Sequence, residues 1–127
     1  MFEKFTYNAR PALLADVLKF LFRIKRKYIT HEHGEFFIDP ASNFGRSLID
    51  DNCYEPELTN RLTDMIKAGD CFLDIGANEG WFSIIASKRV GAEGVVYSVE
   101  PQTRLKPVLL ENIKLNECTN VFISDAM

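Results

Sequence analysis

From Cys71 onward the chain alternates short apolar runs with helical periods, and this alternation constrains the fold more than any other feature. Cys71-Phe-Leu-Asp-Ile75, Val95-Val-Tyr-Ser-Val99 and Val121-Phe-Ile-Ser124 each suit a buried strand and are too short for an independent helix. Between the first two, Trp81 to Val90 reads as a strongly apolar helix stopped by Gly91. Between the second and third lies a helix containing Leu105, Leu109 and Ile113, expected to start near Pro107. Strand–helix–strand–helix–strand with short turns predicts a parallel sheet with right-handed crossovers, and such strands should be apolar on both faces. The expectation is one half of a doubly wound α/β fold in the order 3-2-1, ending just after its third parallel strand.

Upstream, residues 11–28 are predicted to be helical. Pro11 suits a first turn, and Leu14, Val17, Leu18, Leu21 and Phe22 recur at helical spacing. That helix would end in Arg23-Ile-Lys-Arg-Lys27, with cations at the negative end of its dipole. It reads either as an accessory helix packed on the domain with a solvated basic end, or as a basic amphipathic helix for a membrane surface or partner. The first reading is favoured, because charge runs are usually solvated faces. Gly34 to Pro40 predicts a strand closed by an Asp-Pro turn. Tyr54-Glu-Pro-Glu57 opens a helix with Leu58, Leu62, Met65 and Ile66 on its buried face, and Gly69 stands past its last turn.

Charge is unevenly placed. The 15 Lys and Arg nearly balance the 18 Asp and Glu, for a net charge of -3. Residues 1–30 nonetheless carry a local +5 and residues 31–127 a local -8. Neither value suggests a nucleic-acid coat, and no nucleic-acid partner is expected. Cys53, Cys71 and Cys118 form no CxxC pair, which argues against a disulfide scaffold or zinc site and for a reducing, cytoplasmic setting. His31 and His33 flank Glu32 without the H-E-x-x-H spacing, so they read as loop histidines and no metal is expected. Ala12 to Ile24 is interrupted by Asp16, Lys19 and Arg23, too short and too charged for a bilayer span. Met1 to Arg10 lacks the apolar core of a signal peptide.

The stretch Phe72-Leu-Asp-Ile-Gly-Ala-Asn-Glu-Gly80 carries the chemistry. A glycine turn between strand and helix lets a ligand approach the backbone and aims a helix N-terminus at it. Glu100 ends the next strand, 20 residues beyond Gly80, where a carboxylate can accept hydrogen bonds from both ribose hydroxyls. Asp125 ends the third strand, where it can accept from an adenine amino group. A dinucleotide site would prefer G-x-G-x-x-G. Here the turn is Gly76-x-Asn78-x-Gly80, with Asp74 two places before it. That carboxylate would repel a pyrophosphate but could hold an ammonium, so the charge logic favours S-adenosylmethionine over NAD.

Asp74 to Gly80, Val99-Glu-Pro101 and Glu111-Asn-Ile-Lys-Leu-Asn116 together resemble the FkbM-type family of class I S-adenosylmethionine-dependent methyltransferases. Tyr54 to Glu57 and Ala68-Gly-Asp70 are similar to that family's lead-in, and the resemblance covers roughly residues 34–126. It implies a Rossmann-like fold of about seven strands and a partial S-adenosylmethionine-binding domain at 34–127, beside the accessory helix and basic segment that the residues themselves suggest at 1–33. Gly76, Ala77, Asn78 and Gly80 would shape the turn around the methionine portion and Asp74 would anchor it. Glu100 would bind ribose and Asp125 adenine. Trp81 is either a pocket wall or a core aromatic, while Asn112 and Asn116 are expected to end the helix and form the turn.

The implied activity is O-methylation of a small-molecule or sugar hydroxyl. No catalytic residue can be carried over, because later strands would supply it. The alternatives are a truncated, non-catalytic S-adenosylmethionine-binding module and an inert fragment. With no fourth strand covering it, Phe72–Ile75 would form an apolar parallel edge open to self-association.

Overall fold

The computed structural model describes residues 12–124. In chain order the elements are α1 (Ala12–Leu21), β1 (Lys27–His31), β2 (Gly34–Ile38), α2 (Asn43–Asp50), α3 (Pro56–Met65), β3 (Cys71–Ile75), α4 (Trp81–Val90), β4 (Val95–Val99), α5 (Lys106–Leu115) and β5 (Val121–Ser124). Strands β3, β4 and β5 form a parallel sheet in that spatial order, with Asp74 opposite Ser98 and Val99 opposite Ser124. The expected elements from Cys71 onward are all present, and α5 starts one residue before Pro107.

The N-terminal third departs from expectation. Helix α1 stops at Leu21, and Arg23 adopts a left-handed φ of 53° that turns the chain. Lys27 and Tyr28, expected to end the helix, instead begin β1, which pairs antiparallel with β2 from Lys27↔Ile38 to His31↔Gly34. Tyr28, Ile29 and Thr30 are aromatic or β-branched, and a neighbouring strand edge outweighs a helical spacing that depends on only a few apolar positions. Pro11 and the residues before it lie outside the described part of the chain.

Helix α2 was not expected. Ser42 caps it, accepting from the Gly45 N–H at 2.9 Å, and buries Phe44 and Leu48 at i, i+4 spacing. In α3 the buried face is not the apolar one predicted: Thr59 and Ile66 are buried, Leu62 is partly so, and Leu58 and Met65 face outward. Thr59 has a specific inward role, accepting from the Trp81 indole N–H at 2.9 Å and donating to the Tyr54 carbonyl at 2.8 Å. Gly69 does not cap this helix. Ile66 is already extended, and Gly69 sits in the following turn, donating to the Val90 carbonyl.

Two apolar clusters meet across α4. One joins Phe36 and Ile38 of β2, Phe44 and Leu48 of α2, and Trp81, Ile84 and Ile85. The other joins Ile66, Ala86, Val90 and Val96. Both clusters lie on one side of the parallel sheet. The opposite face is apolar in sequence, as expected, but uncovered: Leu73 is 58% and Ile75 75% exposed, with Tyr97 and Phe122 exposed beside them.

Asn112 and Asn116 are not simply turn formers. On α5, Asn112 accepts from the Phe37 N–H at 2.6 Å and donates to the Glu79 carbonyl at 2.7 Å. Asn116 accepts from the Glu35 N–H at 3.0 Å and donates to the Glu35 carbonyl at 2.7 Å. Two side-chain amides one helical turn apart thus take the place of a neighbouring strand along the edge of β2. In this way α5 is fixed to the hairpin and, through Glu79, to the glycine turn.

Candidate functional site

The site is built where β3 and β4 end. Beyond Ile75 the chain turns through Gly76 (φ 82°), Asn78 (φ 52°) and Gly80 (φ 98°), left-handed conformations that favour glycine and, among other residues, asparagine. The Gly76 and Ala77 N–H groups both donate to the Val99 carbonyl, at 2.8 and 3.0 Å, so the turn is anchored on the last residue of β4. Glu100 follows directly. Its carboxylate, 2% exposed, accepts from the Asn78 N–H at 2.8 Å and from the Gln102 N–H at 2.7 Å. One oxygen therefore holds the glycine turn and the other the loop after β4, and each keeps a further lone pair.

Two cavities flank this turn. One of about 490 Å³ lies between Gly76, Asn78, Glu79 and the Glu100–Leu105 loop, with Lys19 and Arg26 on its far wall. The other, of about 450 Å³, is lined by Asp74, Ala77, Trp81 and the apolar side chains of Phe44, Leu62 and Phe72. Gly76 borders both, and a Cβ there would meet nothing within 4 Å, so the backbone itself is open to a ligand. Gly80 has a different role: a Cβ would come within 2.8 Å of the Leu109 Cδ1 methyl, which would have to shift within the buried core, and the φ of 98° already disfavours any side chain.

Asp74 points beneath the turn. It is buried and accepts from the Ser83 hydroxyl at 2.5 Å, and Ser83 in turn shares a 2.6 Å hydrogen bond with Ser98. Burial pushes its carboxyl above the ordinary carboxylate range, against the opposing hydrogen bonds from Ser83, and the Glu100 charge adds to the rise. Trp81 fills both roles open to it, since it is fully packed in the core and also walls the second cavity. Asp125 lies outside the described residues.

Sequence reasoning missed Glu79. Its carboxylate is buried, borders both cavities, and is paired with Arg26 at 3.2 Å. Burial raises its pKa and the Arg26 guanidinium opposes the rise. A charge inside an otherwise small-residue turn was the available signal. Its partner, 53 residues away in a basic run, carried none. At the tip of the β1–β2 hairpin, ligand atoms of His31, Glu32 and His33 lie within 4.8 Å of one another. Both His31 ring nitrogens already have backbone partners: Nδ1 accepts from the His33 N–H, and Nε2 lies 2.6 Å from the Asn52 carbonyl.

No family model and no curated protein matches this chain. Solved structures do. A SAM dependent methyltransferase from Aquifex aeolicus aligns with 64% of the chain at 25% identity and a TM-score of 0.52, over 42% of its own length. TYW2 from M. jannaschii in complex with AdoMet aligns with 80% at 22% identity and a TM-score of 0.61, over 43% of its length. Trm5b from Pyrococcus abyssi aligns with 81% at 23% identity and a TM-score of 0.60, over 28% of its length. The chain has the Rossmann-like fold of the class I S-adenosylmethionine-dependent methyltransferases, and it spans less than half the length of each of these three structures. Among the described residues, no helix is long and apolar enough to cross a membrane.

Proposed function

We propose that this chain binds S-adenosylmethionine and forms the cofactor-binding part of a methyltransferase. The observation that carries the reading is the open glycine turn held between two cavities by a buried carboxylate at the end of the next strand. Together the cavities fall within the ~300–1,000 Å³ usual for small-molecule sites. Bound there, the cofactor would supply an activated methyl group. Gly76, Ala77, Asn78 and Gly80 shape the backbone path around its methionine portion, Asp74 supplies the anionic field for the ammonium, and Glu100 accepts from the ribose hydroxyls. Asp125 is assigned to adenine on sequence grounds alone. The residues present fit that ligand, since they offer anionic acceptors for hydroxyls and an ammonium, while Lys19 and Arg26 on the wall of the first cavity are already paired with Asp39 and Glu79.

The transfer itself needs a second reactant held in line, which is a matter of positioning more than of acid–base chemistry. A small-molecule or sugar hydroxyl is the acceptor class we favour, supported by the FkbM-type resemblance. The excess of carboxylates in residues 31–127 disfavours a polyanionic acceptor. We assign residues 1–33 to an accessory segment and 34–127 to the cofactor domain. The three free cysteines support a cytoplasmic setting.

Calorimetric titration with S-adenosylhomocysteine, with NAD as control, tests the reading. Heat from the first alone is expected, and Glu100→Ala should weaken that affinity at least tenfold through loss of charged hydrogen bonds worth about 1.5–3 kcal/mol each. Equal binding of NAD, or no heat from a folded chain, would overturn it.

A further inference from the structure

Helix α1 is attached to the domain the wrong way round. At 100° per residue, Leu14, Val17, Phe20 and Leu21 fill one continuous arc of the helix, and this arc faces outward: Phe20 is 83% and Leu21 65% exposed, with Leu14 and Val17 exposed beside them. The side turned to the domain includes Lys19, while Asp16, the other charged residue of the helix, is exposed. Lys19, opposite the arc, reaches back to Asp39 at 2.7 Å. Just beyond the helix Arg26 reaches Glu79. Among the described residues, no α1 side chain belongs to either apolar cluster. The segment is therefore tethered by ion pairs, while its apolar arc is left to solvent beside the exposed cations Arg23, Lys25 and Lys27.

We propose that α1 and residues 22–27 form an anchor for an anionic lipid surface. The apolar arc would enter the boundary between headgroups and acyl chains, and Arg23, Lys25 and Lys27 would meet the phosphates. Ion pairing of Lys19 and Arg26 with the domain fixes the direction in which the arc points. A second copy of the chain fits the surface less well, because a two-fold interface centred on the arc would bring the same three cations together. A nucleic acid is also a poorer fit. Its binding is dominated by phosphate neutralisation, and four contiguous apolar side chains contribute nothing to that. The proposal does not depend on the cofactor reading.

The test is co-flotation of the full chain with vesicles of phosphatidylcholine and phosphatidylserine, compared with phosphatidylcholine alone. The chain should float with the anionic vesicles and be released by high salt. Lys25→Gln should weaken binding roughly fivefold. Phe20→Ser combined with Leu21→Ser should weaken it roughly a hundredfold, with circular dichroism unchanged because both side chains are exposed. Failure to float, or equal flotation of the double variant, overturns the proposal. So does a lipid-free dimer that the same double variant dissolves, or retention of a single-stranded oligonucleotide in place of vesicles.

Discussion

Asp74 carries a conflict between stability and binding. Its carboxyl is buried, and its pKa is raised in the folded chain above the unfolded value. Between those two values the folded form holds a proton that the unfolded form has lost, so stability falls as pH rises through that window and stays lower above it. An ammonium ligand needs the ionised carboxylate, so binding should do the opposite and weaken as pH falls through the raised pKa. Asp74→Asn keeps an acceptor for the Ser83 hydroxyl and removes the buried charge. At neutral pH it should melt at a higher temperature than the parent and bind S-adenosylhomocysteine about tenfold more weakly. Scanning calorimetry and titration across pH check both. A variant that loses stability at neutral pH would mean that Asp74 serves the fold rather than the ligand.

At the scale of elements, the glycine turn separates two roles that the sequence writes with the same letter. Gly80 is confined by Leu109, whereas Gly76 opens onto empty space. Gly80→Ala combines left-handed strain with a clash and should cost about 2–4 kcal/mol, read as a lower denaturant midpoint at unchanged slope. Gly76→Ala adds only the strain, about 1–2 kcal/mol, and should fold, yet it should lose most ligand affinity because its methyl stands where the ligand approaches. If Gly76→Ala bound normally, the open backbone would not be the binding surface.

Elements from Cys71 to Ser124 were legible because parallel strands and their crossover helices announce themselves by apolar runs between glycine turns. The hairpin and α2 were not. β1 exists because β2, held along its other edge by the α5 asparagines, offers it a partner, and α2 spans only eight residues with Gly45 in its first turn. That glycine depresses helix propensity, yet a Cβ there would come within 2.1 Å of the Asp39 carbonyl oxygen. Among the site residues, Glu100 and the glycines could be read from spacing. The Glu79–Arg26 pair required knowing that β1 brings the basic run across the turn.

For the molecule as a whole, the parallel sheet has helices on one face only among the described residues, as two crossovers of the usual right-handed sense running in the same direction across the strands require. Cys71, Leu73 and Ile75 point to the bare face alongside Tyr97 and Phe122, and among the described residues β3 pairs with β4 alone. An unpaired parallel strand presents both a row of backbone donors and acceptors and an apolar flank, two attractions that a second copy satisfies together. We expect the 127-residue chain to self-associate at tens of micromolar, with sedimentation velocity showing species heavier than a monomer. Leu73→Lys with Ile75→Lys should restore the monomer, since a charge on an edge strand opposes pairing and both positions are already exposed. Phe20→Ser with Leu21→Ser should leave the association unchanged, which separates this surface from the α1 anchor. A parent chain that sediments as a clean monomer would show that the twist of three strands alone is enough to protect the edge.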